Sequence, residues 1–148
     1  MNAGARFPAA SVAATGDWPE VADLRTRVFV HEQGVPPEVE QDGRDADAVH
    51  AVSRDASGRV VATGRLLVVG DRASIGRMAA DPAVRGGGHG AAVLAELHRQ
   101  AVLRGVREVE LHAQVPARRF YERAGYAAVG EEYLEAGIAH VTMRRTLP

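Results

Sequence analysis

The stretch Arg85-Gly86-Gly87-Gly88-His89-Gly90 decides how this chain is read. Before it lies an apolar segment, Ser74-Ile75-Gly76-Arg77-Met78-Ala79-Ala80. After it, from Ala91 to Arg104, apolar residues recur at helical spacing. The order is therefore strand, Gly-rich loop, helix. Glycine lets the backbone take φ > 0 and approach a ligand closely. The free N–H groups and dipole of a helix N-terminus favour an anion. Together these predict a phosphate cradle. A nucleotide P-loop requires G-x-x-x-x-G-K-[ST], and the chain has no Gly-Lys-Ser/Thr. Gly86 to Ala91 can be read loosely as the G-x-G-x-x-G/A dinucleotide motif. That motif, however, follows the first strand of a larger doubly wound sheet. Here the glycines sit past the middle of 148 residues.

That length fits one domain, spanning 1–148. With 46 % hydrophobic and 25 % charged residues, the composition is that of an ordinary globular protein. A formal net charge of −1 gives no basis for broad attraction to nucleic acid or a membrane surface. Without cysteine, the chain has no disulfide, thiol nucleophile or thiolate metal site. The apolar runs are too short to span a bilayer, and the Ala-rich start lacks the pattern of a signal peptide. The expectation is a cytoplasmic protein. His31, His50, His89 and His98 share no metal-ligand spacing, so no metal is expected.

Working outward, Phe7 to Ala14 reads as a short strand. Asp17-Trp18-Pro19-Glu20 reads as a helix start with a capping box, and the helix runs to about Val30 with Val21, Leu24 and Val28 on one face. Gly34 and Pro36-Pro37 stop it. Residues Glu38 to Asp47 are acidic, which fits either a solvated loop or a substrate loop attracting a cationic amine. Strands are expected at Val49–Arg54, Val60–Val69 and Ala73–Ala80. The helix from Gly90 puts Val93, Leu94, Leu97 and Ala101 on one face and ends at Gly105. In Val106–Gln114, Val109, Leu111 and Ala113 point one way, while Glu110 and His112 point to a polar cleft. Pro116–Ala124 is a short helix. Tyr126–Leu134 and Ile138–Leu147 form a hairpin across Glu135-Ala136-Gly137.

The spacing Arg85-x-x-Gly88-x-Gly90 resembles the R/Q-x-x-G-x-G/A motif of the GNAT N-acetyltransferases. Arg27-Val28-Phe29-Val30-x-Glu32-Gln33-Gly34-Val35-Pro36 is similar to a stretch of their ElaA-like branch. Phe120-Tyr121-Glu122-Arg123-Ala124-Gly125-Tyr126 resembles the family's [L/F]-Y-x-x-x-G-[F/Y] motif. The element order matches over nearly the whole chain, except that a second opening helix within 35–48 shows little periodicity. The resemblance implies an α/β (α+β) fold: a mixed sheet of six to seven strands, the fourth and fifth splayed, with helices on both faces. It also implies acetyl-CoA as co-substrate and an amine of a small molecule or peptide as acceptor.

By that resemblance, the backbone of Met78, Ala79 and Ala80 pairs with the pantetheine arm. Arg85 and the amides of Gly86, Gly87, Gly88, His89, Gly90 and Ala91 hold the pyrophosphate. Gln114 stands where many relatives have a CoA-contacting Asn. Acetyl transfer also needs a proton for the leaving thiolate and a neutral amine. Tyr121 is the general-acid candidate. A phenol of pKa ~10 can donate to a thiolate of ~8.5 or above if held close to the sulfur. Glu110 and His112 are candidate bases, with Glu32 a third. Phe29, Glu32, Gln33 and His140 are placed at the acceptor. Two other readings are an acyl-homoserine-lactone-synthase-like acyltransferase and a silent acetyl-CoA-binding module. A homodimer through the last strands is common among such folds.

Overall fold

The computed structural model describes residues 8–148. Seven strands form one sheet: β1 (Ala10–Val12), β2 (Val49–Arg54), β3 (Val60–Val69), β4 (Arg72–Ala80), β5 (Glu108–Gln114), β6 (Ala127–Glu135) and β7 (Ile138–Thr146). Their spatial order is β1-β2-β3-β4-β5-β7-β6. Every neighbouring pair is antiparallel except β4–β5, which is parallel. Among the described residues the α-helices are α1 (Trp18–Arg25), α2 (Pro37–Glu40), α3 (His89–Leu103) and α4 (Arg118–Arg123). The strand expected from Phe7 is the three-residue β1; Phe7 itself lies outside the described residues.

Alternation along the strands explains why helices cover both faces. Ala51, Ala62, Leu66, Val109, Leu111 and Ala113 pack against Val93, Leu94, Leu97 and Ala101 of α3. Val52, the neighbour of Ala51, packs against Val21, Leu24 and Val28 on the other face, joined by Val60, which the register slip between Ser53↔Ala62 and Arg54↔Val60 sends to that side. The side-chain period of two in a strand sends successive residues to the two helix layers.

Two local readings are corrected. Asp17 does not cap α1 with its side chain. Its carboxylate instead accepts from the Ala14 amide (2.8 Å) and from Arg54 (2.5 Å), and Glu20 accepts from the Val60 amide (3.0 Å). The acids of the expected capping box thus tie the helix start to β2 and β3. The helix also does not run on as α-helix to Val30. From Thr26 to Glu32 it widens into a π-helical turn, with Gln33 N–H donating to the Val28 carbonyl at 3.1 Å. Such turns are frequent at functional sites, because the extra residue re-aims side chains.

The β4–β5 pairing begins at Arg72↔Glu108 and ends at Ile75↔Leu111. Beyond it the two strands part, and β4 keeps only β3 as a neighbour. On that side the register slips from Thr63↔Ala79 to Arg65↔Gly76, so β4 carries one extra residue. Arg77 sits in this bulge at φ +54°, a left-handed conformation that costs a non-glycine residue ~1–2 kcal/mol.

Gly64 lets α3 lie directly on β3. A Cβ built there would come within 2.4 Å of Met78 Sδ and 3.0 Å of Leu97 Cδ1 and Val93 Cγ1. Gly64→Val is therefore expected to destabilise the chain by ~2 kcal/mol through overpacking. Urea unfolding checks this; an unchanged midpoint would contradict the packing.

His98 on α3 is half-buried, its Nε2 2.6 Å from the Tyr126 hydroxyl and its Nδ1 3.2 Å from Arg145. Burial, with Arg145 beside it, lowers the His98 pKa to about 4. Between pH 6.5 and 4 the unfolded chain takes up a proton that the folded chain refuses, so stability falls as pH drops through that window. Allowing for partial exposure, the loss is on the order of 1–2 kcal/mol. His98→Gln should flatten this part of the stability–pH curve. Parallel curves for the two proteins would count against it.

Candidate active site

The Gly-rich loop emerges where β4 ends. Asp81 Oδ1 accepts from the Ala83 amide at 3.0 Å and nucleates a turn over Pro82–Val84. Its other oxygen accepts from Arg27 at 3.0 Å and Arg59 at 3.3 Å. The Ala83 amide and Arg27 hold the Asp81 carboxyl below the usual carboxylate range. Gly86 and Gly88 take φ +83° and +90°, the left-handed region that only glycine enters freely, and α3 begins at His89. The first intrahelical bond of α3 is Ala92 N–H to the Gly88 carbonyl, so the amides of His89, Gly90 and Ala91 have no helical acceptor, while the Gly87 amide donates to the Val84 carbonyl at 3.1 Å. Phe120 Cζ lies 3.5 Å from where a Gly90 Cβ would stand, which brings α4 against the start of α3.

Arg85 is engaged by protein. Its two terminal nitrogens donate to Glu32 at 2.6 and 2.7 Å, and its Nε donates to the Ala80 carbonyl at 3.1 Å. Arg85 holds the Glu32 carboxyl below its ordinary range, which makes Glu32 a poor proton acceptor. The pairs Arg27–Asp81 and Glu32–Arg85 pin the π-helical turn to the Gly-rich loop, two stretches that the sequence presents as separate motifs. The His89 ring points elsewhere: its Nδ1 lies 2.7 Å from the Ser53 hydroxyl on β2. Only the main chain of His89 is left to the loop. Ala79 is buried among Val21, Leu24, Val28, Val52 and Val60.

On the α1 side of the sheet, over β3, β4, β5 and β7, lies a cleft of about 740 Å³. Its floor is Arg65 and Leu67, then Ser74 and Gly76, then Glu108, Glu110, His112 and Gln114. Phe29 and Gln33 of the π-helical turn, residues 39–44, and the β6–β7 turn form its walls. Phe29, Gln33, Met78, Glu110, His112, Gln114, Tyr121 and His140, scattered in sequence, are thereby brought together. Glu32, Ala79, Ala80 and the loop glycines Gly86, Gly87, Gly88 and Gly90 are not part of its lining.

Tyr121 packs in the core on the α3 side and also lines the cleft, so its ring spans the opening between β4 and β5. Phe120 and Tyr126 meet it edge-on at centroid distances of 5.0 and 5.9 Å. Burial pushes its pKa well above the usual phenol value. Gln33 and Gln114 exchange amide hydrogen bonds at 2.8 and 3.3 Å, closing the cleft at the C-terminal end of β5. His112 Nδ1 lies 3.1 Å from Glu135 Oε1, and its Nε2 lies 3.7 Å from Glu110 Oε1. Glu110 also accepts from Arg144 at 3.0 Å. His140 Nδ1 is held by the Ile138 carbonyl at 2.7 Å, while its Nε2 is 3.7 Å from Glu135. Glu135 thus joins both histidines, a role hidden in a residue that reads as turn. Among the described residues, no group of three or more His, Cys, Asp or Glu could hold a metal ion.

The acidic run is largely exposed, as a solvated loop would be, but three of its acids are spent within the fold while Glu38 and Asp47 stay at the surface. α2 and the residues after it form a strap whose Glu40, Asp42 and Asp45 are taken by three arginines. Arg25, 1 % exposed, donates to Glu40 at 2.5 and 2.9 Å and to Asp45 at 2.7 Å. Arg65 pairs with Asp42 and with Asp45, and Arg77 with Glu40 and Asp42. Arg65 holds the Asp42 carboxyl far below its usual range. Burial works against the Asp45 charge, but Arg25 and Arg65 outweigh it. The sequence shows the run of five acids within ten residues, but nothing in it marks Arg25, Arg65 and Arg77 as their partners.

The parallel strands that part, the glycine-capped α3 that follows the first of them and the cleft below match the fold of an acyl-CoA N-acyltransferase from Pseudomonas aeruginosa, which superposes with a TM-score of 0.79 at 33 % identity over 93 % of this chain and 99 % of that one. Residues 17–147 match the family model of the acetyltransferase (GNAT) domain, and the chain belongs to the GNAT acetyltransferase family. It is 32 % identical over 123 residues to the uncharacterized N-acetyltransferase YjcF of Bacillus subtilis, covering 82 % of this chain and 87 % of that one. Escherichia coli ElaA superposes with a TM-score of 0.81 at 27 % identity, covering 94 % of this chain and 99 % of ElaA. An aminoglycoside 6'-N-acetyltransferase solved with coenzyme A shares the fold, with a TM-score of 0.75 at 13 % identity over 94 % of this chain and 97 % of that one. No helix among the described residues is long and apolar enough to cross a membrane.

Proposed function

We propose that the chain, acting as one catalytic domain, transfers the acetyl group of acetyl-CoA to a primary amine of a small molecule or peptide. The amine attacks directly while both substrates are bound. The observation that carries this reading is the parting of β4 and β5 above Ile75 and Leu111, between the Gly-rich loop and a cleft into which Tyr121 reaches. The edge of β4 from Met78 to Ala80 that β5 leaves uncovered offers backbone groups to a pantetheine arm, with the Ala80 carbonyl already accepting from Arg85 Nε. Among the described residues, nothing beyond its chain neighbours stands within 4 Å of a Cβ built on Gly86, which leaves room there for a pyrophosphate. The fold neighbour with bound coenzyme A supports the same ligand here. Arg85 then contributes charge to the pyrophosphate while braced by Glu32.

Tyr121, kept protonated by its raised pKa, gives its proton to the departing thiolate. His112, oriented by Glu135 and adjacent to Glu110, takes the proton of the amine, directly or through water. Phe29, Gln33 and His140 line the acceptor's path, and Gln114 fixes the mouth of the slot. The expected setting is the cytoplasm. A second copy would pair along the free edge of β6, which mass measurement in solution tests.

Calorimetric titration of acetyl-CoA, followed by thiol release over a panel of amines, tests the function. Binding and release with one amine class support it. No binding overturns the acetyl-CoA reading, and binding without release from any amine leaves a cofactor-binding module.

A further inference from the structure

The strand that opens the acyl-CoA slot and the strap that walls the acceptor cleft meet in one side chain. Arg77 is the extra residue of the β4 bulge, two positions past the last β4–β5 pair. Its backbone lies at φ +54°, where glycine would be at ease and arginine is not. Its guanidinium crosses to the strap. Nε and Nη2 donate to the Glu40 carbonyl at 3.2 and 3.0 Å, and Nη2 also reaches the Val39 carbonyl at 3.4 Å. These carbonyls end the single turn of α2 and have no helical partner of their own, so the arginine caps it. The same group pairs with Asp42 and Glu40 at 3.3 Å each. Val39, Glu40, Asp42 and Arg44 are the wall of the cleft, and Met78, the next residue along β4, lines it as well.

We propose that Arg77 is a positioning residue that couples the acyl-CoA slot to the acceptor wall. The proposal rests on the reading of β4 as the edge that seats acyl-CoA. A ligand pairing with Met78 to Ala80 fixes the bulge; the fixed bulge fixes the guanidinium; and the guanidinium holds the strap closed. Arg25 and Arg65 supply counter-charge to the strap from other elements, but neither lies on the free stretch of β4. Arg77 is therefore the link through which occupancy of the slot reaches the wall.

The test uses free coenzyme A as probe. Hydrogen exchange of residues 37–47 is followed with and without it, and its affinity is measured by calorimetry, in the wild type, Arg77→Gly and Arg77→Lys. Wild type should show at least fivefold slower strap exchange on binding. Arg77→Gly keeps the bulge geometry that glycine favours, so its affinity should stay within threefold, while its strap exchanges fast and no longer responds. Arg77→Lys keeps the cation but loses the fork. It should bind equally and recover part of the response, which keeps the test decisive if the glycine variant folds poorly. A strap in either variant that still responds as in wild type overturns the coupling, as does a wild-type strap that ignores bound coenzyme A. A tenfold loss of affinity in Arg77→Gly would place Arg77 in the slot itself and overturn it too. Failure of coenzyme A to bind wild type would instead overturn the function on which the proposal rests.

Discussion

Gly88→Trp is expected to raise the Kd for acetyl-CoA by at least about 100-fold while the chain stays folded. Gly88 is the residue from which α3 starts, at φ +90° and ψ 0°. A side chain there carries ~1–2 kcal/mol of backbone strain. It also places an indole where the phosphates would meet the free amides of the first turn. Hydrogen bonds from such amides to a charged oxygen contribute ~1.5–3 kcal/mol each. Losing two of them gives roughly 3–6 kcal/mol, or a hundredfold and more in Kd. The fold should survive because, among the described residues, a Cβ at Gly88 meets only Pro8, at 3.4 Å. Calorimetry with a parallel thermal melt separates the effects. Binding within threefold of wild type would mean that the glycines form a turn and nothing more.

Tyr121→Phe should lower kcat by ~10²-fold, with acetyl-CoA affinity changed less than threefold, on whichever amine supports turnover. Removing a positioned general acid costs ~10²–10⁴. The ring itself should stay in place, because Tyr121 is only 7 % exposed and is gripped by Phe120 and Tyr126. Burial is the cause of its raised pKa, so the phenol keeps its proton through the neutral and mildly alkaline range. A drop in the variant that disappears when a donor with a more acidic leaving thiol is used would fit proton donation. A kcat within threefold of wild type would remove Tyr121 from the mechanism.

The parts of the fold visible in sequence are those written in local pattern. Val109, Leu111 and Ala113 alternate with Glu110 and His112, and the structure buries the first set and turns the second to the cleft. Val93, Leu94, Leu97 and Ala101 share one face of α3 and reach the core together. Glycines at 86 and 88 adopt the left-handed backbone that their clustering suggested. Capping was less legible. Asp17 and Glu20 have the right types at the right spacing, yet both acids are spent on β2 and β3, because a tertiary donor outcompetes a local one when the strand edge lies within reach.

Residues whose role depends on a distant partner were not legible. Arg25, Arg65 and Arg77 lie 12 to 52 positions apart and carry no shared motif; only folding brings them to the acids of the strap. Glu135 reads as turn and becomes the carboxylate between His112 and His140. Gln33 and Gln114, assigned to different substrates, hold one another. The sequence by itself determined the order of strands and helices, the faces that bury and the place of the glycine loop, since periodicity and backbone conformation are properties of neighbouring residues. Only the tertiary structure decided which charges are free and which are spent, because a buried ion pair is a contact between elements, set by how strands register and where β4 parts from β5.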